Sequence, residues 1–213
     1  NITVKNTKFR DCDTAVSCSG NMNSIIDIEN CDIAARYDGI DIINTSTCDI
    51  NVKNNKISAE KLIGLTLYYV AGKDMTVTGN IIKNCGEYSI YMNLLSSGSH
   101  ILAFDTNKWH GKAAITGYLP TMTFAAGEYV LDGDVKINSG KTVTLDSGAR
   151  IRCLDNCKIN VSGTLQSNGT AENRVKIVGN NNDWDAIIVQ KDGSFNAKYT
   201  DIRGAGNNNT VYT

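Results

Sequence analysis

The feature that most constrains this chain is an internal repeat. Segments 2–9 (ITVKNTKF), 26–33 (IDIENCDI) and 50–57 (INVKNNKI) superimpose at successive offsets of 24 residues. A fourth copy, 75–82 (MTVTGNII), follows after 25, and a fifth, 102–109 (LAFDTNKW), after 27. Ile2, Ile26, Ile50, Met75 and Leu102 open the copies, and Phe9, Ile33, Ile57, Ile82 and Trp109 close them. Six to eight residues further on, each repeat starts a second apolar pair: Val16 with Cys18, Ile40 with Ile42, Leu65 with Leu67, Ile90 with Met92, and Ile115 with Gly117. Alternation every second residue is a strand signal, and no apolar stripe of helical period competes with it. A unit this short, holding two or three strands, cannot bury its apolar side chains alone. Stacked on its neighbours, it forms a continuous interior.

The repeat therefore predicts an all-β parallel solenoid of about nine coils, with adjacent coils about 4.8 Å apart. Ile26 is expected above Ile2, and Ile50 above Ile26, inside the stack. Asn6, Asn30 and Asn54 are expected to turn the chain in left-handed backbone and to bond one another's amides. A leucine-rich repeat has a similar period, but its leucine consensus is missing and the turns favour Asn and Asp over a helix. The single proline, Pro120, marks a change of texture. Past it the 24-residue register fades, and segment 135–143 (VKINSGKTV) aligns with 157–165 (CKINVSGTL) at an offset of 22. Segment 187–195 (IIVQKDGSF) is a looser third copy. The expected organisation is thus coils of about 24 residues over 1–117 and of about 22 over 118–213, continuing or restarting the solenoid.

Charge excludes some partners. The 21 basic and 22 acidic residues nearly cancel, which is unlike the footprint that nucleic acid selects. No apolar run is long enough to cross a bilayer. The first residues lack the order of a signal peptide, so the chain reads as a mature or excised piece whose targeting segment, if any, lies elsewhere.

Several motifs resemble known families. Segments 141–148 (KTVTLDSG), 159–165 (INVSGTL), 168–173 (NGTAEN) and 184–188 (WDAII) resemble large bacterial and archaeal surface proteins built from right-handed β-helix repeats. The first half is similar to the β-helix repeats of the pectate-lyase-like superfamily. That resemblance implies a right-handed parallel β-helix and an extracellular or cell-surface address, on a fold that hosts many activities.

Chemistry-bearing residues are few. Segment 37–42 (YDGIDI) looks like the first aspartate-bearing strand of polygalacturonases, which makes Asp38 and Asp41 the catalytic candidates. Such an enzyme needs further carboxylates one coil on, where this chain has 62–67 (LIGLTL). The plainer alternative makes Asp38 a turn residue beside Gly39, and Asp41 an outward strand residue between Ile40 and Ile42. Outward positions of the second strand are expected to stack as Ser17, Asp41, Thr66, Tyr91 and Thr116. One carboxylate in that row is no calcium cage. No cofactor is expected; Asp132 and Asp134, flanking Gly133, read as solvated turn residues, with a structural calcium as their alternative. Tyr37, Tyr91, Trp109 and His110 are candidate sugar-contacting residues, with Trp109 also fitting the core register. His100 and His110 lack nearby Cys or Glu at zinc-ligand spacing. Of seven cysteines, Cys153 and Cys157 form the close pair that a local disulfide could bridge.

The expected function is a non-catalytic extracellular or cell-surface segment serving adhesion, carbohydrate contact, or envelope or filament assembly. Its expected partners are polysaccharide or cell-envelope components and other copies of itself, stacked end to end. The alternative is a polysaccharide lyase or glycoside hydrolase whose site is incomplete in this stretch.

Overall fold

In a computed structural model the chain forms strands and turns, with no helix among the described residues. The structure describes residues 1–20, 23–45, 48–70, 74–94, 101–103, 107–179 and 184–206. His100 lies outside these residues. The chain divides into two compact units, Asn1–Ala113 and Ala114–Thr213.

In the first unit, the strands Ile2–Lys5, Ile25–Glu29, Asp49–Lys53, Met75–Thr78 and Ile101–Ala103 stack in that order as one parallel sheet. Ile2 pairs with Ile26, Ile26 with Ile50 and Ile50 with Met75, as the repeat predicts. The long strand Lys8–Ser19 pairs with Asp32–Ile43, which then divides. Its first half leads through Lys56–Ala59 and Ile81–Cys85 to Lys108–Trp109, and its second half through Ile63–Val70 to Tyr88–Leu94. Alternation along the strands directs Ile26, Ile28, Ile40, Ile42, Ile50, Val52, Leu65 and Leu67 into one interior, where they are completely buried. Each such side chain stabilises the stack by roughly 1.5–3 kcal/mol.

The second unit repeats the plan. Met122–Phe124, Thr142–Asp146, Thr164–Asn168 and Ser194–Lys198 form one parallel sheet. Gly127–Ile137 divides, one branch running through Ala149–Cys153 and Val175–Gly179 to Thr200–Arg203, the other through Lys158–Val161 to Ala186–Val189. Phe124 packs edge-on against Tyr129 at 4.7 Å between centroids. Trp184 is fully buried, and its Nε1–H donates to the Arg203 carbonyl at 2.9 Å. Together the described residues of the two units make about seven turns rather than nine.

Three details of register differ from expectation, each for a local reason. Asn6, Asn30 and Asn54 do adopt left-handed backbone, with φ between 51° and 55°, but the amide ladder belongs to the next position along the chain. Asn55 Nδ2 donates to Asn80 Oδ1 at 3.0 Å, and Asn80 Nδ2 to Asn107 Oδ1 at 2.8 Å. A left-handed residue turns the backbone, and the side chain that follows it is the one directed into the coil. In the fifth repeat Ile101, not Leu102, pairs with Met75, and a bulge follows before Lys108 and Trp109 rejoin Ile81 and Ile82. In the second unit Val143 pairs with Leu165 at the expected 22, but Val135 pairs with Ile159 and Ile137 with Val161, two residues further along. The cause is turn length: residues 138–141 join one pair of strands, whereas Ser162 and Gly163 alone join the next. A Cβ at Gly163 would lie 2.2 Å from the Asn138 carbonyl oxygen, so only glycine lets the short turn nest under the long one.

Candidate functional site

The outer face of the first unit is arranged by the same pleat that fills its interior. Ser17 pairs with Asp41, Asp41 with Thr66 and Thr66 with Tyr91, so these side chains form one outward row across the coils. Beside it run Ser19, Ile43, Tyr68 and Asn93. Aromatic rings come together here: Tyr68 lies 5.7 Å from Tyr91 between centroids across the two rows, and Tyr88, earlier on the Tyr91 strand and opposite Ile63, lies 6.3 Å from Tyr91, edge-on. All three tyrosines are half-buried, and Thr66 between Asp41 and Tyr91 is nearly covered.

Two carboxylates approach this face. Asp38 sits in the bend of the Asp32–Ile43 strand, and its Oδ1 accepts from the Ile63 N–H at 3.4 Å. The bend is tight because Gly39 lies against the next coil, where a Cβ would come within 2.4 Å of the Gly64 carbonyl oxygen. Burial pushes the Asp41 carboxyl above its ordinary value, and the charge of Asp38 adds to that, while a hydrogen bond from Ser17 opposes it. Tyr37, also in the bend, has two cations against its ring, with Arg36 at 5.3 Å and Lys61 at 5.4 Å from its centre. An open groove of about 480 Å³ adjoins the bend, with Ala34, Ala35 and Ser58 along it and Asp11, Asp13, Glu60 and Arg36 at its edges. The Arg36 guanidinium is 3.9 Å from Asp13.

These coils also decide the family. Residues 1–111 match the family model described as a right handed beta helix region. The chain belongs to that family. No curated protein and no solved structure matches it.

Other expected site residues of this β-helix fall elsewhere. Trp109 is paired with Ile82, in the core register and half-buried, while His110 next to it is exposed. Alternation therefore directs the two rings to opposite sides of the chain rather than into one platform. The His110 carbonyl accepts from Ser89 Oγ at 2.5 Å. Asp132 and Asp134 are exposed, and Asp134 Oδ1 accepts from the Lys158 N–H at 2.9 Å. Among the described residues no three His, Cys, Asp or Glu side chains converge as metal ligands would. Cys153 and Cys157 are brought together and fully buried, but as free thiols. Hydrogen bonding to Cys157, reinforced by burial, raises the Cys153 thiol far above its ordinary value, and Cys157 Sγ donates to the Gly133 carbonyl at 3.0 Å.

Tyr68 and Tyr88 were not foreseen. The signal for Tyr68 lies in the sequence, two residues past Thr66 and hence on the same face. Tyr88 opens its strand one residue before the buried Ser89, a position for which alternation alone gives no strong cue.

Proposed function

We propose that this β-helix is a non-catalytic extracellular or cell-surface segment that contacts carbohydrate through the tyrosine face of its first unit. The observation that carries this reading is the cluster of Tyr68, Tyr88 and Tyr91 on one outer face, with Asp41 on the row of Tyr91 two coils away. Half-buried aromatic rings offer apolar faces to the C–H surfaces of sugars, and a nearby carboxyl and hydroxyls take up the sugar hydroxyls. A rigid sheet holds these groups without an ordering cost at binding.

A second reading is a polysaccharide lyase or hydrolase, and the observation favouring it is the raised Asp41 carboxyl with Asp38 acting on it, an arrangement suited to a general acid. Incubating the purified chain with neutral and acidic polysaccharides, while measuring both binding and new reducing or unsaturated ends, separates the two readings. Saturable binding without turnover, weakened about tenfold in the Tyr68→Ala, Tyr91→Ala double variant, is the expected result. Turnover lost in Asp41→Asn would replace the binding role with the enzymatic one.

A further inference from the structure

We infer that the second unit carries its own binding site, a cationic furrow for an anionic glycan. The furrow has a volume of about 320 Å³ and is lined by Arg150, Lys176, Val178, Gly179, Asp201 and Arg203. Its form follows from register. Glu128, Arg150, Lys176 and Asp201 make one outward row, and Arg152, Val178 and Arg203 make the next, which continues to the buried Val130. The valine between two arginines is short, so Val178 and Gly179 form a half-buried floor with guanidinium and ammonium groups standing around it.

The charges on this face do not cancel. Five cations, Arg150, Arg152, Arg174, Lys176 and Arg203, share it with two carboxylates, Glu128 and Asp201. Both carboxylates are engaged by cations other than those lining the furrow: Glu128 lies 3.5 Å from Arg152 Nε, and Asp201 accepts from Arg174 Nε at 2.9 Å. Arg150, Lys176 and Arg203 are left facing the furrow, all three exposed. Arg150 and Lys176 stand on adjacent coils, about 4.8 Å apart along the stack. A linear glycan lying along the sheet can therefore meet successive cations with successive charged sugars, its rings resting on the Val178 and Gly179 floor. Guanidinium forks suit the two-oxygen edge of a carboxylate or sulfate. The near-zero net charge of the whole chain conceals this local excess. The inference is independent of the tyrosine face, and either site can fail without the other.

Dextran, carboxymethyl-dextran and dextran sulfate share one backbone and differ in charge, so titrating the full chain with each isolates the anionic group. Both charged polymers are expected to bind, with affinity falling as salt is raised, and neutral dextran not to bind at this face. The Arg150→Gln, Lys176→Gln, Arg203→Gln variant should bind the charged polymers about tenfold more weakly. A control that removes the same charge elsewhere in the unit, Lys141→Gln, Lys191→Gln, Lys198→Gln, should bind like the parent, with thermal melting confirming that both variants fold. Equal weakening in the two variants would overturn the site. So would absence of binding by the parent, or equally tight binding of a single-stranded oligonucleotide that the furrow variant loses in parallel.

Discussion

At the scale of single residues, Asp41 is a carboxylate whose environment conflicts with its chemistry. It stands on an outward row but is half-covered, and burial raises its carboxyl above the ordinary value of 3.8. A raised acid binds its proton more tightly in the fold than in the unfolded chain. Ionising it therefore costs stability, a cost absent below pH 3.8 and complete once the pH exceeds the raised value. Asp41→Asn is accordingly predicted to be more stable than the parent at pH 7, with the gap closing as the pH falls below 3.8. Urea denaturation across that range measures it, and a gap that widens on acidification would show that the Ser17 hydrogen bond, not burial, governs the carboxyl. The same environment accounts for what could be read at this position in advance. Alternation placed Asp41 outside, but cover from neighbouring coils depends on which residues lie one turn away, and that is known only once register is fixed.

At the scale of elements, the turns carry more of the specificity than the strands. Asn80 is completely buried and uses its whole amide: Oδ1 accepts from the Asn55 backbone and side chain, and Nδ2 donates to Asn107 Oδ1 and to the Val52 carbonyl. Truncating it strands donors and acceptors on the coils to either side, those of Asn55 and Val52 and of Asn107. Asn80→Ala is predicted to destabilise the fold by about 3 kcal/mol, read from chemical denaturation, whereas Asn54→Gly should cost much less because that position requires only its backbone conformation. This contrast also marks how far the fold was legible. Strand pairing from Ile2 to Met75 followed directly from apolar spacing. The amide ladder was displaced by one residue, since spacing cannot tell the residue that bends the backbone from the one that bonds across coils. The two-residue slip between Ile137 and Val161 came from unequal turns, which compensate around a coil and so vanish from any count of its period. The tyrosine cluster joined one residue seen in advance, Tyr91, to Tyr68 on the neighbouring row and to Tyr88 at the start of the same strand.

At the scale of the whole molecule, a coil is close to an interchangeable part. Ile2, Ile26 and Ile50 share one register, and each coil contacts chiefly its two neighbours. Removing residues 26–49 should therefore join the first coil to the third with strands still matched. Circular dichroism of that deletion is predicted to keep its β signature with a lower melting temperature. Removing 26–37 alone should abolish the fold, because half a coil sets apolar side chains against the wrong sheet. Comparable melting of the two deletions would mean that stability does not depend on register between coils.

The amide ladder also sets how this protein ages. Asparagine is among the more heat-labile side chains, losing ammonia to become aspartate. At Asn80 that change preserves shape yet replaces two donors by oxygen and buries a charge, so one spontaneous hydrolysis would unpin three coils at once. The Ile81 amide, whose nitrogen such a reaction must use, is held by the Asn55 carbonyl at 2.8 Å. The contact that aligns the coils thus also shelters them from slow chemical decay.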